Sequence, residues 1–133
     1  MARDPVDVIR EVNAAFNSGD MERILAVMYP DFETAVPAQF SAEPDTYRGH
    51  DGIRRYFESF RDVMEEIRFE ELELRVVEPY VVVDVRVTAR GRTTGIPVEQ
   101  RIAQVWTVRD GRALEVRNFA SLADALAAAG DAR

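Results

Sequence analysis

Few residues of this chain have the chemistry that proton transfer at neutral pH requires. His50 is the only histidine, and histidine is the side chain best suited to acid/base work near pH 7. It lies at the predicted start of a helix, where a capping or surface role is the alternative. Glu33, Asp84 and Glu115 are the carboxylate candidates on predicted strands. Because Glu115 alternates with apolar neighbours, we expect it to point away from a pocket.

Asp84 and Arg86 are two residues apart on a predicted strand, so they share one face of it. An exposed cross-strand ion pair is the simpler interpretation of these two charges. Any proton transfer would therefore use His50, Glu33, Asp84 or a water molecule held by amide side chains. With no cysteine and a single histidine, the sequence predicts no metal site, disulfide or cofactor.

The amide side chains come from a long predicted strand, residues 98–108. One face of it carries two glutamines among apolar residues: Val98, Gln100, Ile102, Gln104, Trp106 and Val108. A buried amide without a hydrogen-bond partner costs about 1–3 kcal/mol. A pocket that holds water or a ligand would supply partners. The alternative is a partly wet outer face of the sheet at a dimer interface.

Helices and strands must position these residues. The sequence predicts helices over residues 4–19, 20–29 and 51–66, where Asp4-Pro5 and Asp20 supply N-terminal caps and Gly19 a C-terminal stop. A short strand is predicted at 32–36. Residues 38–48 lack periodicity and are predicted to be a loop over the mouth of the domain.

After residue 66 the apolar period changes from the helical 3.6 to the strand value of 2. Strands are predicted near residues 72–76, 81–88, 98–108 and 113–119, the last two joined by an Asp110-Gly111 turn. A short helix follows at 121–129. Short turns predict an antiparallel meander whose one apolar face is covered by the three early helices. We expect an α+β fold in which a strongly curved, mostly antiparallel sheet gives a cone-shaped domain.

Four motifs then identify a family resemblance: FNSGD at 16–20, YPDFE at 29–33, YRGHDGIRRYF at 47–57 and VWTVRDG at 105–111. In this order and spacing, over about residues 6–130, they resemble the SnoaL-like branch of the NTF2-like superfamily. The superfamily includes ketosteroid isomerases, polyketide cyclases, limonene-type epoxide hydrolases, dehydratases and non-catalytic binding domains. The resemblance therefore implies the cone fold without fixing the function.

The chain departs from these relatives at their catalytic positions. Val12 stands where the resemblance places the tyrosine donor of ketosteroid isomerases, Val36 where it places the base, and Gln104 where it places the acidic donor. Valine cannot transfer a proton, so that mechanism is not expected. The last-strand Arg-Asp pair of the epoxide hydrolases falls on Arg117-Asn118, and asparagine cannot act as a general base.

We expect a central pocket that binds a small, largely apolar organic molecule. Its predicted lining is Val36, Tyr56, Phe60, Gln104, Trp106 and Asn118. Isomerase, cyclase or hydrolase chemistry in this pocket is one hypothesis. The other is a non-catalytic domain that binds ligand or forms a homodimer through its sheet.

The bulk composition bounds the remaining functions. The 133 residues suit a single domain over 1–133, with 47% hydrophobic and 31% charged residues. A net charge of −7 argues against nucleic-acid binding, which favours a basic surface. The absence of a signal peptide or a long apolar run predicts a soluble, cytoplasmic protein with no membrane partner.

Overall fold

The computed structural model describes residues 4–36 and 45–130. Within these residues there are four helices and six strands. They follow in the order α1 (Pro5–Ser18), α2 (Met21–Ala26), β1 (Met28–Val36), β2 (Asp45–Arg48), α3 (Gly49–Val63), β3 (Met64–Val77), β4 (Tyr80–Gly91), β5 (Pro97–Arg109), β6 (Arg112–Phe119) and α4 (Leu122–Ala129).

Local sequence chemistry sets the two ends of α1 and the start of α2. A carboxylate oxygen of Asp4 accepts a hydrogen bond from the backbone N–H of Val6 at 2.8 Å. Gly19 ends the helix in the left-handed region, at φ 71°. Asp20 then caps α2 by accepting from the N–H groups of Glu22 and Arg23. These caps confirm the predicted helix boundaries at 4–20.

The predicted end of the second helix, near residue 29, is wrong. The helix ends at Ala26, and β1 begins at Met28. The cause is tertiary: the carbonyl of Val27 accepts from the N–H of Ala113 at 2.9 Å, and Met28 pairs with Ala113 of β6. Pairing with a strand far away in sequence therefore overrides the local helical preference.

The predicted loop at 38–48 is also partly wrong. Residues 45–48 form β2, which pairs antiparallel with β1. Residues 38–44 of that loop lie outside the described part of the chain. The third helix spans Gly49–Val63 rather than the predicted 51–66, because the chain enters β3 at Met64, which pairs with Gly91 of β4.

The strand order of the sheet is β2-β1-β6-β5-β4-β3. The late strands β3 to β6 form the predicted antiparallel meander, while β1 pairs with β6 in parallel. At the β5–β6 turn, Asp110 and Gly111 have φ values of 52° and 75°, as an Asp-Gly hairpin requires. The sheet is curved, and the α+β cone predicted from the sequence is confirmed.

The outer face of the sheet is also apolar where α4 packs on β4 and β5, which corrects the expectation of one apolar face. The inner face packs on the early helices through a core that includes Val8, Ile24 and Trp106. The outer face has a second cluster of Val82, Ala103 and Val105, which packs against the buried Ala125 and Ala129 of α4. None of the described helices is long and apolar enough to span a membrane.

Candidate functional site

A cavity lies between the helices α1 and α3 and the inner face of the sheet. Its lining is mostly aromatic and aliphatic: Phe16, Met28, Phe32, Thr34, Tyr47, Ile53, Tyr56, Phe57, Phe69, Ile102, Gln104, Trp106, Val116 and Asn118. The volume open to the centres of water-sized molecules is about 50 Å³. About 10–15 Å³ on this measure holds one water. The closed part of the space therefore accommodates a few waters, and because the cavity is partly open to solvent, a larger organic molecule can extend out of it.

Alternation along β5 decides which side chains reach this cavity. Ile102, Gln104 and Trp106 point inward, while Ala103 and Val105 pack outward under α4. The question left open by the sequence, whether this strand face is inner or outer, is thus answered at Gln104, which lies inside. Gln104 is only 8% exposed, and Trp106 is 2% exposed.

Three uncharged polar side chains form a strip across the apolar cavity. Gln104 of β5 lies opposite Asn118 of β6 in the strand register. The Asn118 amide donates to Thr34 Oγ1 at 3.4 Å, and the Thr34 hydroxyl donates to the carbonyl of Val116 at 2.9 Å. The register of β1 against β6, which pairs Thr34 with Val116, brings these groups together. The strip can hydrogen-bond a ligand, but it contains no acid or base.

Trp106 and Gln104 are joined by a hydrogen bond within β5. The indole Nε1–H donates to Gln104 Oε1 at 3.1 Å. Residues two apart on a strand share a face, so the two side chains meet on the inner face of β5. The tryptophan ring also lies 6.3 Å from Phe16 and 6.4 Å from Phe32, between their ring centroids.

Two tyrosines, Tyr47 of β2 and Tyr56 of α3, contact each other in the cavity wall. The rings of Tyr47 and Tyr56 meet edge to face with centroids 5.2 Å apart. Burial, with a smaller contribution from Tyr47, raises the pKa of Tyr56 to about 12. The Arg55 guanidinium lies 4.4 Å from the Tyr47 ring centroid, outside the lining. At neutral pH the Tyr56 hydroxyl is protonated and can donate a hydrogen bond.

Four of the six predicted ligand-binding residues line the cavity: Tyr56, Gln104, Trp106 and Asn118. Phe60 does not, because it lies one helical turn beyond Tyr56 and packs edge to face against that ring, with centroids 6.3 Å apart. The backbone of Val36 belongs to β1, but its side chain is outside the described part of the chain. The binding role of the set stays a prediction.

The four ionisable candidates all lie outside the lining. Glu33 is exposed and pairs with Arg48 at 3.3 Å, because alternation along β1 turns Phe32 and Thr34 inward instead. The His50 ring Nε2 lies 3.2 Å from the carbonyl oxygen of Met28. In the tautomer that carries its proton on Nε2, the ring donates a hydrogen bond to this oxygen. It therefore ties the start of α3 to β1.

Asp84 and Glu115 point to the other side of the sheet or to its rim. The Glu115 carboxylate lies 3.8 Å from the Arg117 guanidinium. Asp84 pairs with Arg101 across β4 and β5, rather than with Arg86. Asp84 is 6% exposed, so the expectation of an exposed pair is wrong for the carboxylate. Among the residues lining the cavity in the described part of the chain, none is Asp, Glu, His, Lys or Arg.

Among the lining residues that were not predicted from the sequence, Thr34 and Tyr47 are the two that carry hydroxyl groups. Thr34 could have been found, because alternation on the predicted strand 32–36 puts it on the same face as Phe32. Tyr47 falls in the predicted loop 38–48, but it lies in β2 and is fully buried. The described residues contain no group of three or more His, Cys, Asp or Glu side chains that could hold a metal ion.

A second, more polar groove lies beside the cavity. Phe16, Phe57 and Phe69 line both spaces, so their rings form the partition between them. On the groove side, Arg61 donates to the carbonyl of Gly19 at 2.9 Å and Arg92 donates to the carbonyl of Arg61 at 2.6 Å. These bonds fasten the ends of α1, α3 and β4 together around the partition.

Comparison with solved structures shows chains of the same fold. An NTF2-like protein from Burkholderia thailandensis has a TM-score of 0.78 and 26% identity over 93% of this chain and 98% of its own. IdmH, a proposed polyketide cyclase from Streptomyces antibioticus, has a TM-score of 0.76 and 21% identity over 94% and 97%. TerC, co-crystallised with polyporic acid, has a TM-score of 0.75 and 24% identity over 90% and 92%.

A search of curated proteins finds no match for the chain. The family assignment comes from the sequence itself. The model of the SnoaL-like domain matches residues 9–116, a span that contains most of the described cavity lining. The conserved fold of the structural neighbours agrees with that match. The chain therefore belongs to the SnoaL-like domain family.

Proposed function

We propose that this protein binds a small, largely apolar, uncharged organic molecule in the cavity, as a binding domain rather than an acid/base catalyst. One observation carries the proposal: the described lining is apolar except for uncharged polar groups, and Glu33, His50, Asp84 and Glu115 are all outside it. Desolvating an ionic ligand in such a cavity without a counter-charge would be costly. An apolar molecule gains free energy from the same burial.

Isomerase, cyclase or hydrolase activity has less support. Those reactions need a general acid or base within hydrogen-bond reach of the reacting atoms. Tyrosine is the only titratable residue type in the described lining, as Tyr47 and Tyr56. Because its pKa is raised to about 12, the Tyr56 phenol stays protonated at neutral pH and is a poor base there. The polyketide cyclase proposal for IdmH and the complex of TerC with polyporic acid are consistent with small-molecule binding by this fold.

Intrinsic fluorescence tests the proposal directly, because the chain has one tryptophan and it lines the cavity. Titration with acetophenone or isopropylbenzene is expected to change Trp106 emission saturably. Ile102→Phe, which fills the cavity, should weaken binding of both compounds at least about tenfold. Val98→Phe is the matched control, since Val98 lies on the same strand but is 41% exposed, and it should bind normally.

Absence of saturable binding by either compound, checked by ligand-observed NMR, would overturn the proposal. Equal binding by Ile102→Phe and the wild type would also overturn it, because the ligand would then lie elsewhere.

Homodimerisation through the outer sheet face stays a separate prediction. A monomeric mass by light scattering at micromolar concentration would contradict it.

A further inference from the structure

The groove beside the cavity has an apolar floor. It is lined by Phe16, Phe57 and Phe69, and the Phe16 ring centroid lies 5.0 Å from that of Phe57 and 5.3 Å from that of Phe69. Met64 and Ile67 add further apolar surface. The volume open to the centres of water-sized molecules is about 200 Å³, against about 50 Å³ for the cavity. The groove therefore has room for a molecule with one aromatic ring.

Two arginines that line the groove have no acidic partner among the residues that the structure describes. Arg61 Nη2 donates to the carbonyl of Gly19 at 2.9 Å, and Arg92 Nε donates to the carbonyl of Arg61 at 2.6 Å. Neither guanidinium forms an ion pair with a described carboxylate. Because a guanidinium has five N–H donors, each arginine keeps donors for another acceptor.

The same hydrogen bonds hold the two guanidinium groups in place. The acceptor of Arg61 is the residue that ends α1, and its guanidinium carbon also lies 5.9 Å from the Phe57 ring centroid. The Arg92 backbone N–H donates to the carbonyl of Val63 at 2.9 Å. Side chains that are already positioned lose less conformational entropy when a ligand binds. The two cations are therefore prepared to bind an anion.

The other polar groups of the groove do not cancel this positive charge. Glu65 and Glu66 also line it, but Glu66 pairs with Arg90 at 3.0 Å. Asn17 uses both ends of its amide on the backbone of Phe69, since its Nδ2 donates to the carbonyl at 2.8 Å and its Oδ1 accepts from the N–H at 2.7 Å. Among the described lining residues, Glu65 alone thus opposes two arginines, in a chain whose net charge is −7.

We propose that the groove is a second binding site, for a small organic carboxylate with an apolar tail about the size of one ring. The carboxylate accepts hydrogen bonds from Arg61 and Arg92, and the tail lies on the phenylalanine rings. Hydrogen bonds between guanidinium and carboxylate groups are stronger than those between neutral groups, and burial of the tail adds free energy. The cavity has an uncharged lining, so the two sites select ligands of different charge. This site does not depend on whether the cavity binds a ligand.

Phenylacetate and phenylacetamide make a matched pair of probes, because they have the same number of non-hydrogen atoms and differ in charge. NMR titration of isotope-labelled protein reports binding at the groove through the backbone amide signals of Gly19, Arg61 and Arg92. Phenylacetate should shift these signals saturably at millimolar concentrations. By the same signals, it should bind at least about threefold more tightly than phenylacetamide.

Two substitutions should change the affinity in opposite directions. Arg92→Gln should weaken phenylacetate binding about three- to fivefold, the value of an exposed ion pair, and leave phenylacetamide binding unchanged. Glu65→Gln removes a repelling carboxylate and should tighten phenylacetate binding. Arg68→Gln is the matched control for charge, because Arg68 is exposed and lies outside the lining, and it should bind phenylacetate as the wild type does. Thermal denaturation verifies that each variant is folded.

The absence of saturable shifts in the groove signals would overturn the second site. Equal weakening by Arg92→Gln and Arg68→Gln would also overturn it, because the effect would then come from net charge alone. Ile102→Phe, which fills the cavity, should bind phenylacetate as tightly as the wild type does. Loss of phenylacetate binding in that variant would mean that the carboxylate enters the cavity, and the groove would not be its site.

Discussion

The two faces of the sheet bury polar side chains by different chemistry. The inner face holds three neutral polar groups inside an apolar cavity. Gln104 accepts from Trp106, Asn118 donates to Thr34, and the Thr34 hydroxyl donates to a backbone carbonyl. The outer face holds Asp84, whose side chain is 9% exposed, against Arg101, whose side chain is 57% exposed. One face thus satisfies polar groups without charge, and the other uses a carboxylate whose counter-ion reaches water.

The difference shows where charge is tolerated in this fold. An exposed guanidinium keeps most of its hydration while it neutralises a buried carboxylate, so the outer pair avoids the full cost of burying two ions. The hydrogen bond to Asp84, and then its negative charge, raise the pKa of Arg101. Among the described residues that line the cavity, none is a Lys, Arg or His that could neutralise a buried carboxylate. The inner face is therefore suited to a neutral occupant.

The largest expected effect tests whether both faces are truly packed. Val82 and Val83 are adjacent on β4 and are 0% and 2% exposed, one facing α4 and the other the inner core. Val82→Ala and Val83→Ala should each lower the free energy of unfolding by about 1–3 kcal/mol. Urea denaturation measures both. A near-neutral Val82→Ala beside a costly Val83→Ala would mean that α4 does not seal the outer face.

A smaller effect sharpens the contrast in charge. Arg101→Gln leaves the buried Asp84 carboxylate without its partner, whereas Asp84→Asn leaves an exposed arginine in water. Arg101→Gln should therefore lower the stability more than Asp84→Asn does. Arg86→Gln is the control, since its pairs with Glu70 and Glu99 are exposed and worth about 0–1 kcal/mol. The reverse order in thermal denaturation would count against a buried carboxylate.

The smallest effect at neutral pH concerns Tyr56. Its pKa is raised from 10.0 to about 12 in the folded protein. Below about pH 10 the phenol is neutral in both states, so the contribution to stability is fully present there. As pH rises from about 10 to 12, the unfolded chain loses this proton first and the folded state loses stability.

Ultraviolet titration measures this directly, because the chain has four tyrosines. The Tyr56 phenol should ionise late in the folded protein, with its pKa at about 12, and near pH 10 in denaturant. In Tyr56→Phe the late step should be missing. Ionisation of all four near pH 10 in the folded protein would show that the cavity wall is wetter than its burial indicates.

Features that depend on neighbouring residues were predictable from the sequence. The caps at Asp4 and Asp20, the stop at Gly19 and the turn at Asp110-Gly111 each depend on chemistry within a few residues. Alternation along β5 was equally local, and it grouped Gln104 with Trp106. Those short-range patterns were enough to predict the helices, the meander and part of the cavity wall.

Features that depend on strand register were not predictable. The early end of α2 and the existence of β2 arise from pairing with partners elsewhere in the chain. The partner of Asp84 is Arg101 because β5 places Ala103 opposite Asp84 and Arg101 opposite Arg86. A single strand shows which residues share a face, but not which residue lies across from it. The role of Thr34 in the polar strip has the same origin.

The parallel pairing of β1 with β6 gives the cavity a topological property. The Thr34 hydroxyl and the Val116 carbonyl that bond there are 82 positions apart in the chain. The strip from Gln104 to Thr34 thus joins an early segment to a late one, across a loop whose closure costs conformational entropy. A molecule that contacts both ends of the strip would act as a reversible cross-link, holding that long loop shut for as long as it stays bound.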